Sequence, residues 1–411
     1  MKILIFSIFF ILLKEIINEY YEYKNLILNY SNPYYYISLK FENNEDEMDF
    51  IFSNYIPISF IPTLKCKICS KFKLNETNPN LVSIKQNINV PYYHYNYTGN
   101  IYNNIITIDN ITSELDFIGF NNITYKSKFS DNGIFSLSYL NYNFNTTAQI
   151  FALKFKNTNS NCELHLGGYN SNYILNYSEL KSFNVTIDDN NSTEQVLKSI
   201  WYIKFMYLFI NNKKINNNIN NTSDIKLSFD MGTDKFHIPK KYFFDNMHLI
   251  FPEKSHCQIH PDGYFICECN EDYKTNFGYF IFKNNNNEIF NITPKDYIIY
   301  ESGISSSTCI VKIKVNYENS LFIGGIGVLK NYYSIFNVEN KTFLVFKEEE
   351  IEKISQFLEY FILFLFLFAF FCIAIFVIYV CCKRWRANNN NNDDSQGSIN
   401  QGQGESSEET D

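Results

Sequence analysis

The sequence predicts an all-β region followed by a single C-terminal transmembrane helix. Three observations carry that expectation. Short runs of alternating apolar residues are broken by polar, Asn-rich turns, the pattern of half-buried strands. Residues 225–239, IKLSFDMGTDKFHIP, run from an apolar strand (Ile225, Leu227, Phe229) into Asp230 and then Gly232 and Thr233. Residues 360–382, YFILFLFLFAFFCIAIFVIYVCC, carry no charge. At about 1.5 Å per helical residue they are long enough to cross a ~30 Å hydrocarbon layer.

Size and charge bound the remaining possibilities. The chain has 411 residues, 45% of them hydrophobic, enough for a core in two lobes. The net charge is −8 and no long basic run precedes the apolar span, which argues against a nucleic-acid partner. Runs such as Asn216–Asn218 and Asn284–Asn287 read as polar surface loops.

The chain opens on MKILIFSIFFILL, one positive charge and an apolar stretch of signal-peptide length. Residues 1–18 are therefore expected to be a signal peptide, cut in a window near 14–22. The alternative, a short membrane anchor, has too few residues to span comfortably. Export fits the ten Asn-x-Ser/Thr triplets headed by Asn29, Asn75, Asn96, Asn110, Asn122, Asn145, Asn176, Asn184, Asn291 and Asn340. Residues 33–62 then read as strand, polar turn and strand, with Asn43 to Glu47 interrupting the apolar alternation.

A strand that feeds one carboxylate into a glycine turn holds a buried acid in fixed geometry. The stretch around Asp230 resembles the catalytic loop of the pepsin-like aspartic peptidases, in which a hydrophobic pair, Asp-Thr-Gly and Thr or Ser occur once per lobe. Two carboxylates there share one proton and activate a water. Residues 48–62, MDFIFSNYIPISFIP, resemble the first copy at the same spacing, with Phe52 and Pro62 in register. Ser53 then falls where the first Asp belongs, Asn54 at the Thr and Tyr55 at the Gly. Placing Asp49 there instead would slip the loop by four residues against Pro62, and neither Asp46, Glu47 nor Asp49 precedes a Thr/Ser-Gly.

Further segments extend the resemblance from about 33 to 347. TGNIYNNIITI (98–108) is similar to the strand after the flap, which puts Tyr92 at the flap tyrosine and Tyr93, His94 and Tyr95 at its glycine-rich tip. DNGIFSLSYL (131–140) matches the segment beneath the first loop, with Ser136 for a second glycine. ELHLGGYNSNYI (163–174), the Trp201–Ile203 strand and LFIGGIGVLKNYYSIF (321–336) follow in family order. The resemblance implies a bilobal pepsin-like acid protease fold, with an N-terminal lobe at 33–183 and a C-terminal lobe at 184–347. It implies aspartic endopeptidase activity, no cofactor, and a peptide or protein ligand in the interlobe cleft near Tyr92, Gly232 and Thr233.

The same resemblance guides the cysteines. Cys66 and Cys69 stand where pepsins close a small disulfide loop; a redox or zinc pair is the alternative, and no second CxxC accompanies it. In the second lobe the family disulfide would join Cys267 or Cys269 to Cys309. We take Cys269–Cys309 with Cys257–Cys267, leaving Cys162 odd, either free or intermolecular. No metal is expected: His256, Cys257, His260, Cys267 and Cys269 fit no standard zinc spacing.

Lys383, Arg384 and Arg386 follow the span, and Glu348–Glu350, Glu352 and Glu359 precede it. The basic flank stays cytosolic, giving a single-pass type I protein with its lobes extracellular or lumenal. Cys381 and Cys382, at the end of the span, are either S-acylated or incidental. The tail, 383–411, has a disordered composition. With Ser53, Asn54 and Met231 replacing three dyad-loop residues, the expected function is a membrane-anchored pseudopeptidase. The alternative is an active endopeptidase with an altered dyad.

Overall fold

The structure is a computed structural model. It describes residues 23–31, 34–41, 47–66, 81–92, 95–109, 111–124, 133–139, 144–156, 161–174, 177–188, 200–215, 224–252, 256–261, 263–270, 272–286, 288–301, 307–317, 320–347 and 360–383. The expected signal peptide, Cys69 and the tail beyond Lys383 lie outside these residues. The chain forms two compact units, Met1–Glu348 and Glu349–Asp411.

The first unit is built almost wholly of strands, as expected, because β-branched and aromatic residues alternate with polar ones along most of its length. Its centre is an 18-stranded sheet. Within it, two segments repeat one local topology. Met48–Ser53 runs parallel to Ile134–Ser136, and Ser59–Pro62 runs parallel to part of Ile111–Thr124. In the second half, Ile225–Phe229 runs parallel to Leu321–Gly324, and Phe236–Pro239 runs parallel to Ile313–Asn316. A crossing antiparallel contact completes each copy, Phe60 with Ile134 and His237 with Ile323.

The halves share a further run of strands. Lys24–Ser31 pairs with Cys162–Leu166, which pairs with Ile150–Phe155. That strand pairs with Tyr332–Asn337, then Thr342–Lys347, then Lys181–Ile187. Lys181–Ile187 crosses the expected 183/184 boundary: its first part pairs with Thr342–Lys347 and its end with Trp201–Phe205. The Lys24–Ser31 strand starts before residue 33, where the sequence reading placed the first lobe. Its partner lies far along the chain, and eight residues of modest alternation gave no local sign of it.

Aromatic side chains fill the seam. Trp201 is fully buried among Tyr139, Phe229, Phe336 and Phe343, with ring centroids 5.1–6.2 Å away. Phe151 stacks on Phe336 at 4.4 Å across two paired strands. Burying such rings supplies both area and preferred ring geometry.

Cys257–Cys267 is a disulfide between neighbouring strands of a separate four-stranded sheet, Cys269–Cys309 joins the residue just past Phe265–Glu268 to the next strand of that sheet, and Cys66 is also disulfide-bonded. Cys162 is a thiol with no exposure, its Sγ donating to the Glu163 carbonyl. That burial corrects the intermolecular option, because the sulfur faces the core rather than another chain. Among the described residues, no group of three or more His, Cys, Asp or Glu side chains could hold a metal. The second unit's helix, Tyr360–Lys383, is 24 residues long and apolar enough to cross a membrane.

Close backbone approach fixes the second repeat. The Pro294–Tyr297 helix begins with a capping box: Asp296 accepts from the Thr293 backbone and hydroxyl and from Asn331 Nδ2. Burial pushes the Asp296 carboxyl up to about 6. Gly325 has an ordinary φ of −82°, so what it supplies is room. A Cβ there would stand 2.6 Å from the carbonyl oxygens of both Thr233 and Lys235. We expect Gly325→Ala to cost about 1–3 kcal/mol in urea unfolding, because neither backbone can yield cheaply. A change within experimental error would show that this strand and loop are not held together.

Candidate functional site

The two repeats bring their loops together. Ser53 ends the Met48–Ser53 strand, and its carbonyl accepts from Leu137 N at 2.9 Å. Asp230 follows Ile225–Phe229 and donates its backbone N–H to Gly324 O at 3.0 Å. Each loop is thus pinned to the strand running parallel beneath it. Their side chains then meet: Ser53 Oγ donates to Asp230 Oδ1 at 2.7 Å. Both residues have 0% exposure. The positions are 177 residues apart, as are the crossing pairs Phe60 and His237.

The other acids near the first loop are elsewhere. Asp49 points away from the core and accepts from Ser38 Oγ at 2.6 Å, and Glu47 is exposed. Asp46 lies outside the described residues. By alternation Asp49 shares the face of Ile51 and Ser53, but it stands four positions earlier, where that face is open to solvent, so distance along the strand keeps it from the meeting point.

Tyr55 does not rebuild the loop, contrary to what a bulky residue at a glycine position suggests. Tyr55 N donates to Ser53 Oγ at 3.3 Å, and Gly232 N donates to Asp230 Oδ1 at 2.7 Å. The same two-residue closure operates in both loops. Tyr55 is not among the residues with positive φ, so its Cβ meets no left-handed penalty. Its ring, 6% exposed, joins an apolar cluster with Ile56, Ile58, Tyr97, Tyr202 and Ile323.

The cross-loop lock is half present. Asn54 Oδ1 accepts from Met231 N at 2.8 Å, bridging the two loops. Met231 has no side-chain acceptor to return the bond. Trp201 Nε1 donates to the Asn54 carbonyl at 2.8 Å and ties the same loop to the seam. Asn54 Nδ2 is buried with no hydrogen-bond partner. By sequence, Asn54 counted among the replaced dyad-loop residues. The available signal was that an amide oxygen accepts as a hydroxyl does, one atom further out. Ser136, in place of a glycine, is absorbed in a similar way: its hydroxyl donates to Ile56 O and its N–H to Ser59 Oγ.

Other expected site residues fall as follows. Thr233 is buried, its Oγ1 lying 3.1 Å from His237 Nε2 and accepting from Lys235 N. Gly232 is partly exposed beside Asp230. Tyr92 ends the Val82–Tyr92 strand opposite Tyr95, which places its backbone at the tip of the hairpin; its side chain, Tyr93 and His94 lie outside the described residues. Of the glycosylation positions, Asn29, Asn145, Asn184, Asn291 and Asn340 are exposed. Asn75, Asn110 and Asn176 lie outside the described residues, as do the side chains of Asn96 and Asn122.

Chemically, a hydroxyl and a carboxylate face each other where two acids would share a proton. A serine hydroxyl does not ionise near neutral pH, so the pair itself holds one group able to titrate.

A family model described as eukaryotic aspartyl protease matches residues 55–345. The match begins just beyond Ser53 and Asn54 and includes Asp230. No curated protein matches the chain.

The Asn54 bridge makes a measurable difference. Asn54→Ala strands the buried Met231 N–H, which should lower unfolding free energy by about 1–3 kcal/mol. Asn54→Thr keeps an acceptor and removes the orphaned Nδ2, so it should be at least as stable as the wild type. Equal losses in both variants, read by denaturant titration, would refute the bridge.

Proposed function

This chain belongs to the eukaryotic aspartyl protease family, and from that premise we propose that it is a membrane-anchored pseudopeptidase whose interlobe cleft binds a peptide or protein without hydrolysing it. The observation that carries the reading is the bond from Ser53 Oγ to Asp230 Oδ1, 2.7 Å long and fully buried. In an acid dyad, one carboxylate takes a proton from water while the other donates one to the scissile carbonyl. Ser53 cannot take that proton near neutral or acid pH, and its own is directed at Asp230. The oxygen that would act as base also accepts from Gly232 N. Two donors on that one oxygen occupy the lone pairs with which it would take a proton from water.

Met231 supports the same reading, since it removes half of the cross-loop lock. We take 33–183 and 184–347 as the two lobes. The Tyr360–Lys383 helix anchors them, with Lys383, Arg384 and Arg386 on the cytosolic side and the lobes outside. The disulfides suit an oxidising compartment, and the five exposed sequon asparagines are the positions we assign to glycans.

The test is proteolysis by the purified full-length chain in detergent, on an unfolded protein between pH 3 and 7. We expect no cleavage that a statine-type transition-state mimic blocks or that Asp230→Asn removes. A statine-sensitive, Asp230-dependent activity would establish the active endopeptidase instead. Binding is read separately: a peptide library should yield extended ligands whose affinity survives Asp230→Asn. Absence of any ligand would mean the cleft is filled by its own tyrosines.

A further inference from the structure

The strand Cys162–Leu166 is buried on both faces. Cys162, Leu164 and Leu166 enter the main core, whereas Glu163 and His165 lie on the opposite face in a polar cluster that the Ser53–Asp230 pair does not use. His165 has no exposure. Its Nδ1 lies 3.0 Å from Tyr333 Oη and its Nε2 lies 3.2 Å from Glu163 Oε2. Glu163 also accepts from Tyr173 Oη at 2.9 Å and pairs with Lys156 Nζ at 2.6 Å. Tyr333 Oη accepts from Asn170 N at 2.8 Å. Tyr23 packs on the His165 ring at 4.5 Å, directly before the Lys24–Ser31 strand, in which Asn25 stands opposite His165.

These bonds assign the tautomer. An ionised Glu163 only accepts, so Nε2 carries the proton. Tyr333 oxygen already receives the Asn170 N–H, so its own proton is given to Nδ1. Neutral His165 satisfies every partner. Adding a proton at Nδ1 aims two donors at the Tyr333 oxygen and leaves the phenol proton without its acceptor. Among the described residues, the further charged or titratable neighbours are Tyr169, close enough to act on the Tyr333 phenol, Lys154, whose Nζ stands 5.5 Å from the Tyr173 ring, and Lys156, half exposed.

We propose that the Glu163–His165–Tyr333 cluster is an acid-sensitive latch on the N-terminal strand Lys24–Ser31, closed while His165 is neutral and loosened when it is protonated. Burial lowers the His165 imidazole below its ordinary 6.5, against the pull of Glu163. For Glu163, burial pushes upward, but the bonds from Lys156, Tyr173 and His165 outweigh it and hold the carboxyl below its usual range. A depressed group contributes stability above its unfolded value and loses it as pH falls through the folded one. Both groups therefore act in the same direction, and the window between pH 7.5 and 5 isolates the histidine.

The experiment is hydrogen exchange on the full-length chain in detergent, read as protection factors for peptides covering 24–31. Protection should fall severalfold between pH 7.5 and 5, in step with protonation of the imidazole. The Phe280–Lys283 strand, which belongs to a separate sheet, should stay unchanged. His165→Gln cannot titrate, and its profile should be flat. A flat wild-type profile, or a His165→Gln profile that falls as the wild type does, overturns the latch. Should His165→Gln not fold, an NMR titration of the wild-type imidazole decides: the strand must loosen over the same pH range in which His165 protonates, and loosening without protonation overturns it.

Discussion

The buried contact between Ser53 and Asp230 is the constraint on which the architecture turns. Two strand-loop units from distant parts of the chain must meet at one point, and each unit must hold its polar loop away from water. The backbone closures at Tyr55 and Gly232 do this within each loop, and the Asn54–Met231 bond does it between them. An uncompensated polar group at this depth costs about 1–3 kcal/mol. Exchanging a carboxyl for a hydroxyl at Ser53 keeps a donor opposite Asp230 and avoids placing two like charges in one buried site. The fold keeps its meeting point with one carboxyl and one hydroxyl.

Around that point the molecule repeats itself. Parallel pairing of Met48–Ser53 with Ile134–Ser136 is matched by that of Ile225–Phe229 with Leu321–Gly324. The repeats diverge in how they make room. The second uses Gly325, where no Cβ fits between two carbonyls. The first carries Ser136, and its hydroxyl and N–H find partners in Ile56 and Ser59. A larger residue is tolerated where it brings its own hydrogen bonds. Trp201 binds this arrangement to the shared strands, filling the seam while donating to the first loop.

The strands shared by the halves carry a second polar centre with a different character. At the dyad position, one acid is paired with a group that does not titrate. At Glu163 and His165, two titratable groups are buried with complete partners, and their position beside Tyr23 couples them to the strand that leads into the first repeat.

Local pattern alone carried the strand-rich class, one apolar helix long enough to cross a membrane, and the spacing that sets Ser53 against Asp230. Those depend on local periodicity, on an uninterrupted apolar run and on a fixed spacing from Phe52 to Pro62. It also carried the residue types at the meeting point, a hydroxyl on Ser53 and a carboxyl on Asp230. Tertiary structure decided what those residues do: that Asn54 accepts across the loops, that Tyr55 closes its loop without strain, that Cys162 is sealed in the core, and that Lys24–Ser31 has a partner at all. Each of these depends on a contact between residues far apart in the chain. Sequence pattern carries a residue's chemistry, whereas its partner is fixed only once the strands have paired.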